Sequence, residues 1–221
     1  TGNEQSGYME VVLKSVEQYS PDLVSKTKHL THGMVKLAGG VKMSSRLGNV
    51  LTANAVLDAT KEANNDHGDD DYVTIGAIKY AFLKQSIGGD IIYDPAESVS
   101  LEGNSGPYLQ YAYARAMGIL DKAGESSFDL KSADNFTDFE RSLLRKVGEY
   151  SEVIELATSE LRPHHVAGYI YDLAQNFNRF YENSRVVGDE RQDLRLSLVR
   201  LYASKLESGL KLLGIETLNK M

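Results

Sequence analysis

Three apolar stripes in the second half of the chain leave little choice of fold. Phe139, Leu143, Val147, Tyr150 and Ile154 recur by fours and threes. Val166, Ile170, Leu173, Phe177 and Phe180 do the same, and Leu194, Leu198, Leu201, Leu206, Leu210 and Leu213 line a third stretch. A period of about 3.6 residues places each set on one face of a helix. Such a face must bury against a neighbour. A helix bundle achieves this with the fewest elements.

Local start signals agree with the stripes. Asp94-Pro95-Ala96-Glu97 and Thr137-Asp138-Phe139-Glu140 both have the spacing of a capping box. Arg162-Pro163 marks a third start. The first fifty residues read differently. Gly7 to Tyr19 predicts an amphipathic helix through Met9, Val12, Leu13 and Val16, and Ser20-Pro21 predicts another start. Lys28 to Leu37 carries short apolar runs compatible with a strand. From about Leu51 the pattern is almost wholly helical. Glu62 to Asp71 (EANNDHGDDD) has no apolar face and reads as an exposed loop. Its carboxylates lack the spacing of an EF-hand. Glu125 to Asn135 reads as a second polar connector.

Composition narrows the function classes. The 221 residues suffice for one large domain or two small ones. No cysteine is present, so disulfides and cysteine zinc sites are excluded. His164 and His165 are adjacent, are expected to diverge on a helix, and have no carboxylate spaced for zinc; a structural role is expected and no metal site. No apolar run approaches the ~20 residues that span a bilayer, and Thr1-Gly2-Asn3-Glu4 does not open a signal peptide. These features predict a cytoplasmic chain without a membrane partner. Thr1 stands where an initiator methionine would, which points to a processed or excised chain. The net charge of −7 argues against a general nucleic-acid coat and against DNA as a partner. Any RNA must be met by a local face and through exposed bases.

A phosphate-gripping loop is prefigured by Gly40-Val41-Lys42-Met43-Ser44-Ser45-Arg46-Leu47-Gly48-Asn49. Lys42 and Arg46 bring charge, Ser44 and Ser45 bring hydroxyls, and glycine backbone can approach a polyphosphate closely. This string resembles the Lys-Met-Ser-Lys-Ser signature loop of class I aminoacyl-tRNA synthetases, in the form typical of arginyl-tRNA synthetases. The resemblance implies an ATP-binding loop of Lys42, Met43, Ser44, Ser45 and Arg46, with Lys42 stabilising the pyrophosphate that leaves when ATP and Mg²⁺ activate arginine. Ser45 and Leu47 replace lysines often found there, so this loop carries less positive charge.

A second run, Leu101-Glu102-Gly103-Asn104-Ser105-Gly106-Pro107-Tyr108-Leu109-Gln110-Tyr111-Ala112-Tyr113-Ala114-Arg115, resembles a similar run of the same family. Read physically, Pro107 opens a helix on which Tyr108, Tyr111 and Arg115 lie near one face. Rings and a guanidinium there can stack unpaired bases. On the residues alone the tyrosines read rather as half-buried core residues with satisfied hydroxyls; the resemblance favours a tRNA-facing helix, with Asn104 ahead of it also at the tRNA. A third region, from His164 through Phe177-Asn178-Arg179-Phe180-Tyr181-Glu182 to Met221, is similar to the family's anticodon-binding domain, and the resemblance places Tyr181 and Met221 at the anticodon.

The resemblance implies a mainly α fold: residues 1-52 as the end of a Rossmann-type catalytic domain, an α/β remnant with the signature loop; 53-102 as a helical connector; and 103-221 as a helical anticodon-binding domain. Thr1-Gly2-Asn3-Glu4-Gln5-Ser6-Gly7-Tyr8 resembles the end of that catalytic domain, and no His-Ile-Gly-His signature precedes it. The implied activity is ATP-dependent ligation of arginine to its tRNA. The implied partners are tRNA for arginine, ATP and arginine, and the chain is expected to be a monomer that is inactive alone. Two alternatives remain open here: another class I synthetase, such as the cysteinyl or methionyl type, and a non-catalytic helical interaction module.

Overall fold

The structure is a computed structural model that describes residues 1–38, 52–64, 71–123 and 135–220. The signature-loop residues Lys42, Met43, Ser44, Ser45 and Arg46, the connector 124–134 and Met221 lie outside the described residues. The chain divides into two compact units. One holds 1–50 with 85–94, and the other holds 51–84 with 95–221.

In the first unit a 3-10 turn, Asn3–Gln5, leads into α1 (Ser6–Glu17) and the short α2 (Pro21–Ser25). Met9, Val12, Leu13 and Val16 are only half-buried in α1. Pro21 begins α2 as expected, but the Ser20 side chain makes no capping hydrogen bond. The strand expected within Lys28–Leu37 is confined to β1 (Val35–Leu37). It pairs in parallel with β2 (Ile91–Tyr93), in the register Val35 to Ile91 and Leu37 to Tyr93. Asp90 holds the two together, accepting from the Met34 N–H at 2.8 Å and from the Lys36 ammonium. Gly33 has no room for a side chain, because a Cβ there would stand 2.1 Å from the Gly89 carbonyl oxygen.

The second unit is helical: α3 (Ala53–Asn64), α4 (Asp71–Leu83), a single turn α5 (Pro95–Ser98), α6 (Gly106–Ala123), α7 (Asp138–Gly148), α8 (Tyr150–Glu160), α9 (His164–Asn183) and α10 (Gln192–Leu212). The three apolar stripes seen in the sequence run along α7 and α8, along α9, and along α10. Leu109 on α6, Leu143 on α7, Ile170, Leu173 and Phe177 on α9, and Leu198 and Leu206 on α10 are fully buried in one core. Thr137 and Glu140 close a capping box at the start of α7. Helices α4 and α6 meet backbone to backbone: a Cβ on Gly106 would stand 2.4 Å from the Gly76 carbonyl oxygen.

One expectation is corrected. The stretch Glu62 to Asp71 is not a continuous exposed loop, because α3 runs to Asn64 and α4 begins at Asp71. Asn64 is buried at 1% exposure, with its amide 3.5 Å from the Thr74 hydroxyl. A polar residue on the inner face of a helix looks like loop by composition, and only its partner reveals otherwise.

Among the described residues no helix is long and apolar enough to cross a membrane, and no three His, Asp or Glu gather to hold a metal ion. The rings of His164 and His165 lie 4.4 Å apart instead of diverging, since both sit in the opening turn of α9. His165 reaches Glu160 at 2.8 Å.

Candidate nucleic-acid interface

The second unit carries a groove of about 800 Å³ beside α6. Its floor is the α6 face of Tyr111, Arg115, Gly118 and Lys122, which step by four, three and four. This spacing puts all four on one side of the helix. Tyr181, near the end of α9, adds a second ring, and Ser184 to Val187 with Asn219 and Lys220 complete the lining.

Arg115, Lys122, Arg185 and Lys220 make the groove a cluster of cations, with no carboxylate among its described lining residues. In a chain of net charge −7 this is a local reversal of sign. The arrangement suits a polyanion that also offers flat faces: charge for phosphates, rings for bases.

Each ring is held from behind. The Arg115 guanidinium lies 4.9 Å from the centre of the Tyr111 ring, a cation–π contact. Arg115 also donates to Asn178 Oδ1 at 3.1 Å, while the Asn178 amide donates to the Tyr108 hydroxyl at 2.7 Å. Tyr181 stacks on Phe177, with ring centres 6.2 Å apart, and Phe177 stacks on Tyr202 at 3.9 Å with planes only 6° apart. This column carries packing from the core to the groove wall. Tyr202 is fully buried, which drives its phenol pKa well upward.

Tyr111, Arg115 and Tyr181 therefore share one groove, although 66 residues separate Arg115 from Tyr181. Tyr108 does not line it. That ring is half-buried against Tyr171, 5.8 Å away, with burial raising its pKa and its hydroxyl bonded to Asn178. Asn104 is likewise apart, and its Oδ1 stands 2.5 Å from the Tyr80 hydroxyl, so that side chain braces the turn before α6. Residues missed in the sequence are Asn178, Lys122, Arg185 and Lys220. Lys122 continues the four-three-four step from Tyr111 and was discoverable. Arg185 and Lys220 lie in non-periodic segments and left no signal.

The tail reaches the groove because α10 ends in a left-handed turn. Gly214 has φ +68, Ile215 donates back to the Leu210 carbonyl, and Ile215 is buried. The buried Gln110 then donates to the Glu216 carbonyl at 2.8 Å, tying the tail to α6.

This groove, most of α6 and helices α7 to α10 fall inside a segment with known relatives. A model of the DALR anticodon binding domain matches residues 109–221. The chain belongs to that DALR family. All of the chain aligns with an arginine–tRNA ligase of Flavobacterium psychrophilum, 33% identical over 241 residues, and with one of Bacteroides fragilis, 30% identical over 243. The chain spans 39% and 40% of the lengths of these curated relatives. The solved arginyl-tRNA synthetase of Thermus thermophilus superposes with a TM-score of 0.79 at 34% identity, over 92% of this chain and 37% of that one. The Plasmodium falciparum arginyl-tRNA synthetase, at 24% identity and a TM-score of 0.75 over 100% of this chain and 40% of that one, supports the fold alone. The mainly α architecture expected from the stripes, and the helical anticodon-binding domain that the resemblance implied, are thereby shown.

Proposed function

We propose that this chain supplies the tRNA-binding part of an arginine–tRNA ligase, and that its groove receives the anticodon loop of tRNA for arginine. The observation that carries the reading is the shared groove of Tyr111, Arg115 and Tyr181 in a setting of four cations. Unstacked anticodon bases would lie against the two rings, and the cations would meet the adjoining phosphates. Support also comes from the whole-chain likeness to proteins named arginine–tRNA ligase.

In the whole enzyme, Lys42 to Arg46 would grip the phosphates of ATP, bound with Mg²⁺, while arginine is activated and passed to the tRNA; that loop lies outside the described residues. Alone, the chain is proposed to bind tRNA without charging it, in the cytoplasm and as a monomer. Tyr108 is assigned to bracing the site through Asn178, Asn104 to holding the turn before α6, and Met221, outside the described residues, keeps the anticodon role that the resemblance implies.

The test is a footprint of the chain on an arginine tRNA transcript, with affinity measured against salt. Protection of the anticodon loop and a falling affinity with rising salt are expected. Tyr181→Ala should weaken binding by ~1–3 kcal/mol through lost stacking. Protection confined to the acceptor stem, or wild-type affinity in the variant, would refute the reading.

A further inference from the structure

The outer wall of the groove, Arg185 to Val187, belongs to a short irregular stretch between α9 and α10. Within it Val186 packs into the core at 3% exposure, while Arg185 and Val187 are exposed, and exposed irregular backbone is ordinarily mobile unless it is tied down. Arg195, on the first turn of α10 and only 8% exposed, ties it down. One guanidinium nitrogen of Arg195 donates to the Arg185 carbonyl at 2.7 Å and lies 3.1 Å from Asp189 Oδ2. The Nε donates to Glu140 Oε1 at 2.9 Å.

Glu140 is fully buried at the start of α7. It also accepts from Arg191 Nε at 3.0 Å, from a terminal nitrogen of Arg191 at 2.5 Å, and from the Thr137 N–H at 2.9 Å. A single guanidinium thus joins the start of α7, the start of α10 and the carbonyl of the groove wall. A buried ion pair contributes little net stability compared with an apolar pair of the same shape. What it does here is fix direction: the planar fork of arginine reaches three acceptors at once, which a lysine ammonium on a flexible stem does not.

We infer that Arg195, oriented by Glu140, is a positioning residue that sets the segment 185–187 in the groove it shares with Arg115 and Tyr181 for tRNA. This rests on the reading that the groove binds tRNA. The wall is ordered before the ligand arrives, so binding does not bear the cost of ordering it.

The experiment uses the full chain and an unmodified arginine tRNA transcript. Arg195→Lys keeps the charge and loses the fork; affinity should fall about 5–10-fold. Amide hydrogen exchange should speed up at 185–188 while 164–183 on α9 stays as in the wild type. Asp189→Asn provides a milder variant should the lysine variant not fold. It keeps an acceptor for the Arg191 N–H, which now bonds Asp189 Oδ1 at 2.9 Å, and should show the same local exchange with a loss of about 2–3-fold. Tyr181→Ala is measured alongside. If Tyr181→Ala binds weakly while the Arg195 and Asp189 variants bind as wild type with unchanged exchange at 185–188, the inference is overturned and the groove reading stands. Exchange that rises along α9 and α10 alike marks general loosening and overturns it too. If Tyr181→Ala binds as wild type, the groove reading falls and this inference falls with it.

Discussion

In α9, Val166, Ile170, Leu173, Phe177 and Phe180 are all 5% exposed or less, whereas the stripe of Met9, Val12, Leu13 and Val16 in α1 is buried only half-way. Both stripes have helical spacing, and both segments are helices. What differs is the number of neighbours each unit supplies. Among the described residues, helix α9 is packed by α4, α6, α7, α8 and α10, while in its own unit α1 packs mainly on α2 and the turn before it. Tyr8 at 70% and Val11 at 65% exposure show how far α1 remains open. Periodicity therefore tells which face of a helix is apolar, and the surrounding fold decides how deeply that face is covered.

This contrast can be broken most directly in the core. Leu173→Ala should cost about 2–5 kcal/mol of stability, through lost transfer energy and a cavity. The matching Val12→Ala in α1 should cost under about 1 kcal/mol. Equal losses in denaturant unfolding would erase the distinction.

A buried charge offers a second lever, of about 3 kcal/mol, because Glu140→Gln removes the buried carboxylate that Arg191 and Arg195 share. Burial alone would raise the Glu140 pKa, but hydrogen bonds from Arg191, the Thr137 N–H and Arg195 outweigh burial and bring it from 4.5 to about 2. A depressed folded value means the contribution is present above pH 4.5 and is lost as pH falls toward about 2. The stability gap between wild type and Glu140→Gln should accordingly be constant near neutrality and close across that acid window. A gap that widens in acid would contradict the assignment.

Smaller effects sharpen the picture at the ends of elements. Thr137→Ala should remove about 1 kcal/mol by opening the capping box of α7, readable as a lower unfolding midpoint. Tyr19, at 87% exposure just past α1, should tolerate alanine within about 0.5 kcal/mol. A large loss there would mean that the first unit is packed more tightly than α1 indicates.

Much of the helical unit was legible in the residues themselves. The stripes named α7, α8, α9 and α10, and Thr137 to Glu140 announced a cap that the structure contains. The return of 85–94 to pair with β1 was not legible, since Ile91–Tyr93 is three residues long and its partner lies over fifty residues away. Asn64 was read as loop because its polar character outweighed its position on an inner face. At the site, resemblance and spacing together pointed to Tyr111, Arg115 and Tyr181. The wall at Arg185 and the contribution of Lys220 were hidden, because irregular segments carry no period to read.

Local pattern determined which segments are helices, where α7 starts and which side of each helix is apolar, because those depend on neighbours three or four residues apart. Only the tertiary structure decided that Arg115 and Tyr181 face one groove, that Tyr108 and Asn104 stand apart from it, and that Arg195 reaches the Arg185 carbonyl. These depend on how helices distant in sequence pack side by side, and no period along the chain records that distance in space.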